Sequence, residues 1–404
     1  MHTSDLHLGI GNYGLIDPAT GLSRRIDDFY AAFDHVVDYA LEKKADVILL
    51  CGDTFKDPNP NPTILKMFAT RLGRLSKEGI QTVIIPGNHD AAKGGRAAPP
   101  EPLVELKIPN VHYFGKADFS DLTCRSGQTV RVFALPYRHP VKMASEKTKG
   151  KTGLDRGLMQ EKFREQIAKE IEIFTRAGRK HADTCILVGH LSIQGAIVGS
   201  EKAWAVGEEY SVLPSEFDTN LFDYIALGHL HKHQAIKFKV PIVYPGSIER
   251  VDLAEAKEAK GFVSVEIKTR EAKWKFIEVP TRPMYNFKLD CSDDDPVTTV
   301  EQALGSDSIT NAIVSIHLTT KESLTPTQKN AIQNLLHDTF WNQIHYAREV
   351  TEKKSTKGAF GETLEPHQAL DKYLKTLKIT ENQRQLARKI GQQIIEETTT
   401  KGEA

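Results

Sequence analysis

Six short runs of β-branched and aliphatic residues, at 46–51, 81–85, 129–135, 184–188, 224–227 and 241–244, recur through the first two thirds of the chain. Longer helical patterns separate them, among them 26–44, with Phe29, Phe33, Val36, Val37 and Ala40 at helical spacing, and 159–177. Nearly continuous apolar strands alternating with helices predict an α/β fold, a sheet covered on both faces by helices. Such sheets place their chemistry beyond the carboxyl ends of the strands. Most of these runs stop there in polar or glycine-rich sequence.

After a strand at 261–267 and a tail at 273–280, the pattern changes near Thr281. A smaller unit reads strand 285–291, helix from Pro296, strand 312–318, helix 325–337 and a strand near 345–350. Its middle strand alternates Val314, Ile316 and Leu318 with Ser315, His317 and Thr319, as a half-buried strand should. Residues 352–365 are polar, contain Gly358 and Gly361, and read as a linker. Beyond them lie two helical stripes, Leu370, Tyr373, Leu374 and Leu377, then Leu386, Ile390 and Ile394. Thr380 and Gln383 have capping-box spacing for the second helix. The expected division is a domain over 1–280, a small α/β domain over 281–352 and a helical tail over 365–404.

Lys plus Arg and Asp plus Glu number 53 each, so the formal charge is zero. That excludes a wholesale polycation but not a local basic groove. The four cysteines, Cys51, Cys124, Cys185 and Cys291, are too scattered for a zinc knot or a disulfide framework and suit a reducing cytoplasm. No leader-like amino terminus and no run of 18 apolar residues occur, so neither secretion nor membrane spanning is expected.

The strand ends carry an ordered series: Asp5-Leu6-His7, Gly52-Asp53, Gly87-Asn88-His89-Asp90, Gly189-His190 and Gly228-His229-Leu230-His231. Carboxylate, amide and imidazole together suit manganese, iron or zinc better than a calcium or pure magnesium cage. Asp-x-His and His-x-His on extended segments would put each pair on one face. Two such clamps sharing one carboxylate would hold two cations about 4 Å apart, able to grip a phosphoryl group from both sides.

These motifs, in this order, resemble the calcineurin-like metallophosphoesterase superfamily. More narrowly, His2 to Gly9, Gly228 to His231, and Pro245-Gly246-Ser247-Ile248-Glu249-Arg250-Val251-Asp252 resemble the SbcD-type nuclease subunits of the DNA double-strand-break repair complex. The narrower likeness extends to about Ile267, and more weakly through the small unit and tail. It implies a calcineurin-like phosphoesterase domain, a small α/β capping domain and a partner-binding tail. Asp5, His7, Asp53 and His231 would hold one metal; Asp53, Asn88, His190 and His229 the other; both are divalent, with manganese the expected ion. His89 would protonate or stabilise the departing oxygen, with Asp90 orienting it. The partners implied are DNA ends and hairpins, an SbcC-type coiled-coil ATPase docked by the C-terminal helices, and a second copy in a homodimer. The setting implied is cytoplasmic, at the nucleoid during repair.

Two departures stand out. Relatives begin with an apolar strand before the first Asp, whereas only Met1, His2 and Thr3 precede Ser4 and Asp5 here. Where some relatives carry a histidine supporting exonuclease action, this chain has Lys56, which can meet a phosphate but cannot shuttle a proton as imidazole does.

Other candidates have two readings. Arg250 either contacts the DNA backbone or pairs with Glu249 or Asp252. Trp204 either stacks on a base or fills the core, and His233 and His139 lie near motif loops. The segment 138–156, with a net charge of +4, is either a solvated loop or a DNA contact. The resulting expectation is a two-metal DNA nuclease, a 3′-to-5′ double-strand exonuclease and single-strand or hairpin endonuclease of an SbcCD-type complex. The alternatives are a metallophosphoesterase for small molecules or phosphoproteins and a non-catalytic DNA-end scaffold.

Overall fold

The computed structural model describes residues 1–90, 98, 100–138, 156–199, 210–305, 309–348, 366–376 and 380–400. Trp204, His139 and most of the basic segment 138–156 lie outside the described residues, as does the linker 352–365. The chain divides into two units, Met1–Ala347 and Arg348–Ala404.

In chain order the first unit contains β1 (His2–Thr3), β2 (Val47–Cys51), β3 (Gln81–Ile85), β4 (Val111–Tyr113), β5 (Asp118–Thr123), β6 (Thr129–Leu135), β7 (Thr184–His190), β8 (Ser192–Ile193), β9 (Ser211–Val212), β10 (Tyr224–Gly228), β11 (Gln234–Ile236), β12 (Ile242–Tyr244), β13 (Gly261–Lys268) and β14 (Glu271–Glu278). One six-stranded sheet has the order β14-β13-β1-β2-β3-β4 and the other β11-β12-β10-β7-β6-β5. Helices α1 (Arg25–Glu42) and α2 (Pro62–Lys77) pack on the first sheet through Phe29, Phe33, Phe68 and Leu72, against Ile48, Leu50 and Ile84. Asn61 caps α2 by accepting from the Thr63 amide at 2.8 Å, with Pro62 in the first turn. The helix over Arg156–Ala177 covers the second sheet through Phe163, Ile167, Ile171 and Phe174.

The inner faces meet each other. Val47, Leu49, Cys51, Val83 and Ile85 pack against Val130, Val132, Ala134, Ile186, Val188, Tyr224 and Ala226. The expected sheet core flanked by helices consists of two sheets face to face, each with helices outside. Apolar runs report that both faces of a strand are covered, not what covers them.

Residues Met284–Asp290, Ile313–Thr320 and Trp341–Arg348 form a separate three-stranded sheet, with the helices Pro296–Leu304 and Pro326–Leu335 on one side. Its core holds Val300, Val314, Ile316, Leu318, Ile332 and Leu336. Arg282 attaches the start of this segment to α1, donating to both Asp28 oxygens at 2.7 and 2.6 Å and covering the Phe340 ring at 3.6 Å.

In the second unit, the helices Pro366–Thr376 and Glu381–Thr400 form a hairpin, and Thr380 and Gln383 make the anticipated reciprocal capping bonds. Leu374 is buried and Leu370 packs on Gly391, while Leu386 and Ile390 are 60% and 50% exposed. Among the described residues no helix is long and apolar enough to cross a membrane.

Candidate metal centre

Parallel pairing sets the strand ends level. His2 is in register with Leu49, Cys51 with Ile85, and Gly228 with His190. Past β1 and β2 the two chains stay side by side without strand geometry: the amides of Asp5, His7 and Leu8 donate to the carbonyls of Gly52, Asp53 and Thr54 at 3.1, 2.9 and 2.9 Å. Asp5, His7, Asp53 and His229 take φ values of 51°, 43°, 50° and 103°. The alternation argument for Asp-x-His and His-x-His is thereby corrected, because these side chains converge through left-handed turns rather than a flat strand. Such residues cost on the order of 1–3 kcal/mol each and persist where the surroundings over-determine them.

The sheets touch closely where the strands end. A Cβ on Gly52 would lie 2.1 Å from His190 Nδ1, one on Gly87 2.1 Å from Asp53 Oδ1, and one on Gly228 2.0 Å from the Cys51 carbonyl oxygen. The glycines in the motifs are therefore packing residues of the centre itself. Gly52 additionally has φ +89°, which glycine adopts without strain.

The structure brings all seven anticipated ligand side chains together. His7 Nε2 lies 2.9 Å from His231 Nε2 and 4.0 Å from Asp53 Oδ2; His190 Nε2 lies 3.5 Å from Asp53 Oδ2. Asn88 Oδ1 is 3.0 Å from both His190 Nε2 and His229 Nδ1. Asp5 accepts from the His229 amide at 3.2 and 3.1 Å and from the Ser4 hydroxyl. Three groups, Asp5 with His7 and His231, His7 with Asp53 and His89, and Asp5 with Asp53 and His190, each keep their ligand atoms within 4.8 Å.

This donor set fits two divalent cations. Lone-pair-bearing nitrogens and oxygens face one another across gaps that a cation would fill. The far ring nitrogens of two histidines are already engaged: His190 Nδ1 donates to the Cys51 carbonyl at 2.8 Å and His231 Nδ1 to Glu255 at 2.9 Å. Metal-binding histidines are ordinarily held in this way. Burial would lower the pKa of His190, but the Asp53 carboxylate raises it to about 9. Burial opposes charge on Asp53, yet His190, His89 and His7 hold its carboxyl well below the usual range. His7 is pushed down by burial and by His231.

His89 sits half-buried beside this cluster. Its amide donates to Asp53 Oδ1 at 2.8 Å, and its Nδ1 donates to the Lys56 carbonyl at 3.0 Å. Asp90, expected to orient that ring, instead accepts from the amides of Thr54 and Phe55, both at 2.8 Å, and so ties the loop after β3 to the loop after β2. Burial and the Asp53 charge push Asp90 up to about 7.

Two further candidates are turned to other tasks. Arg250 donates to Thr281 Oγ1 at 2.6 Å and to the carbonyls of Arg282 and Glu258 at 3.1 and 3.0 Å, so its guanidinium braces the segment that leads into the small sheet. None of these bonds is the ion pair with Glu249 or Asp252. His233 donates to the Tyr244 carbonyl at 2.8 Å and stacks on Phe276 at 4.2 Å, which commits its ring to packing between the sheets.

Sequence reasoning missed Glu255 and Lys260, which are 0% and 1% exposed behind His231. The stretch Leu253 to Lys260 alternates alanine with charge and reads as a surface turn; no motif marks it.

The sequence pattern of calcineurin-like phosphoesterases matches residues 1–233. The DNA double-strand break repair protein Mre11 of Aeropyrum pernix is 25% identical over 301 residues, covering 72% of this chain and 64% of that protein. Mre11 of Archaeoglobus fulgidus is 25% identical over 319 residues, covering 74% and 63%. The SbcD subunit of the nuclease SbcCD of Bacillus subtilis is 27% identical over 296 residues, covering 71% of each. The chain thus spans under two thirds of the length of the two archaeal proteins.

Proposed function

Since the chain belongs to the calcineurin-like phosphoesterase family, we propose that it is a two-metal DNA nuclease that trims broken or hairpin ends, with manganese as its working ion. The observation that carries this reading is the convergence of Asp5, His7, Asp53, Asn88, His190, His229 and His231 from both sheets. Asp5, His7 and His231 would hold one cation, Asn88, His190 and His229 the other, and Asp53 both. Bound there, the two cations would neutralise phosphate charge and activate a water near neutral pH.

The chain's own groups supply the rest. The Lys56 carbonyl accepts from His89 Nδ1, so Nε2 can hand a proton to the departing oxygen only from the doubly protonated ring, which keeps its Nδ1–H afterwards. Asp53 and Asp90 hold the His89 loop in place through backbone amides. The names of the relatives support DNA as substrate and an SbcC-type ATPase as partner. Leu386 and Ile390, exposed on the helical hairpin, are the apolar stripe by which that partner would be engaged, helix in groove. In this reading the chain has three working parts, 1–280 for catalysis, 281–352 as a cap and 365–404 for the partner, and acts as a homodimer.

The test is release of nucleotides from 3′-labelled duplex and cleavage of hairpin DNA in manganese, with and without the ATPase. The expected result is cleavage that His89→Ala abolishes while manganese uptake persists. Absence of cleavage across divalent metals, or turnover confined to small phosphodiesters and retained after deletion of 281–404, would overturn the assignment.

A further inference from the structure

Behind His231 lies a buried assembly that no ligand motif includes. Glu255 ends a short 3-10 helix, Leu253–Glu255, whose first turn is capped by Asp252. Glu255 Oε1 accepts from His231 Nδ1 at 2.9 Å, while three donors converge on Oε2: Lys260 Nζ at 2.7 Å, the Val251 amide at 3.0 Å and Ser247 Oγ at 3.4 Å. Lys260 Nζ also donates to the His231 carbonyl at 3.0 Å, and so does the Ser247 amide at 3.0 Å. Both the ring and the backbone of His231 are therefore held by the same group of residues.

We propose that Glu255, itself held by Lys260, is the positioning residue that sets the tautomer of His231, keeping the proton on Nδ1 and the lone pair on Nε2. This inference rests on the reading of the site as a two-metal centre. Nε2 is the atom facing His7 at 2.9 Å, and only an unprotonated nitrogen can bind a cation. A carboxylate has no proton to give, so its partner nitrogen must donate. Removing such an outer partner ordinarily weakens metal binding about 10- to 100-fold.

The donors around Oε2 make the consequence of Glu255→Gln specific. Lys260, Val251 and Ser247 all offer protons to that position, so the amide oxygen stays with them and the NH2 turns to His231 Nδ1. Nδ1 must then accept, which moves the ring proton to Nε2.

The experiment uses the full chain. Nitrogen-15 imidazole spectra of the metal-free protein, with His231 assigned by loss of its signals in His231→Ala, read the tautomer directly. Manganese titration calorimetry reads uptake. The wild type should show Nδ1–H for His231 and two manganese ions bound. Glu255→Gln should show Nε2–H, with one of the two manganese affinities about 10- to 100-fold weaker. Lys260→Met should keep Nδ1–H, because the bond from His231 to Glu255 survives.

An Nε2–H tautomer in the wild type overturns the proposal even if Glu255→Gln does not fold. So does an unchanged tautomer with unchanged manganese affinity in a folded Glu255→Gln. A wild type that shows Nδ1–H but takes up no manganese would overturn the reading of the site while leaving the positioning by Glu255 standing.

Discussion

Gly228→Ala is the most demanding test of how the two sheets meet. The added Cβ would stand 2.0 Å from the Cys51 carbonyl oxygen and 2.7 Å from Ser4 Cβ. A carbon and a carbonyl oxygen need about 3.3 Å, so the ends of β10 and β2 must part by about 1.3 Å. The Cys51 oxygen is backbone and cannot swing aside. It also accepts from His190 Nδ1 at 2.8 Å, so moving it moves that imidazole, and His229 follows Gly228 directly. Overpacking of this kind costs about 1–3 kcal/mol. At about 2.1 cal/mol/K of unfolding entropy per residue, the unit Met1–Ala347 shifts by about 1.4 °C per kcal/mol, so the melting temperature should fall by roughly 1–4 °C. A misplacement near 1 Å at a reacting centre costs on the order of a hundredfold. Manganese uptake and DNA cleavage should therefore fall far more than stability. Differential scanning fluorimetry, manganese calorimetry and the cleavage assay measure the three quantities on one preparation. Gly73→Ala is the control: in the middle of α2 with nothing within 4 Å of its added Cβ, it should stabilise by up to about 1 kcal/mol. A Gly228→Ala protein with wild-type melting and full manganese uptake would refute the close approach of the strand ends.

Arg282→Ala removes both bonds to Asp28, the bond to the Asn311 carbonyl and the cover over Phe340, but Asp28 keeps its bond from Arg25 at 2.6 Å, so the cost in urea unfolding should be about 1.5–3 kcal/mol; a change below about 0.5 kcal/mol would show the attachment to be energetically idle. His2 is buried between Tyr224 and the Leu227 carbonyl, and burial pushes its pKa down to about 3. The unfolded histidine takes up a proton near pH 6.5 and the folded one does not, so this group removes about 1.4 kcal/mol of stability per pH unit as pH falls from 6.5 toward 3. The stability gap between wild type and His2→Gln should accordingly narrow by about 2 kcal/mol between pH 6.5 and 5, and a gap that stays constant speaks against a neutral His2. Leu386→Asp with Ile390→Asp alters exposed positions only, so melting and manganese-dependent cleavage by the isolated chain should stay within error while co-purification with the ATPase is lost. Retained co-purification would place that interface elsewhere.

Much of the architecture was legible because local rules govern it. The β2, β3, β6, β7 and β10 runs end where glycine or proline interrupts the apolar residues, and the Thr380 box marks a helix start from four residues of sequence. The pairing of two sheets was not legible, because Val47 or Val130 would be equally apolar against a helix. The internal contacts of Arg250 and His233 were not legible for a related reason. Each is a polar residue in a motif loop, and which donor meets which carbonyl depends on segments, such as 281–282 and β14, that local sequence does not bring together.

The ordered ligand series and the strand-and-helix grammar around it belong to the linear chain, since side-chain chemistry and backbone propensity act over a few residues. The left-handed turns at Asp5, His7, Asp53 and His229, the sub-contact approach at Gly52, Gly87 and Gly228, and the Glu255–Lys260 support of His231 exist only once the two sheets have met. They are strained, crowded or buried-charge arrangements that no short segment would adopt alone; long-range packing must hold them, and long-range packing is what a periodicity cannot spell out.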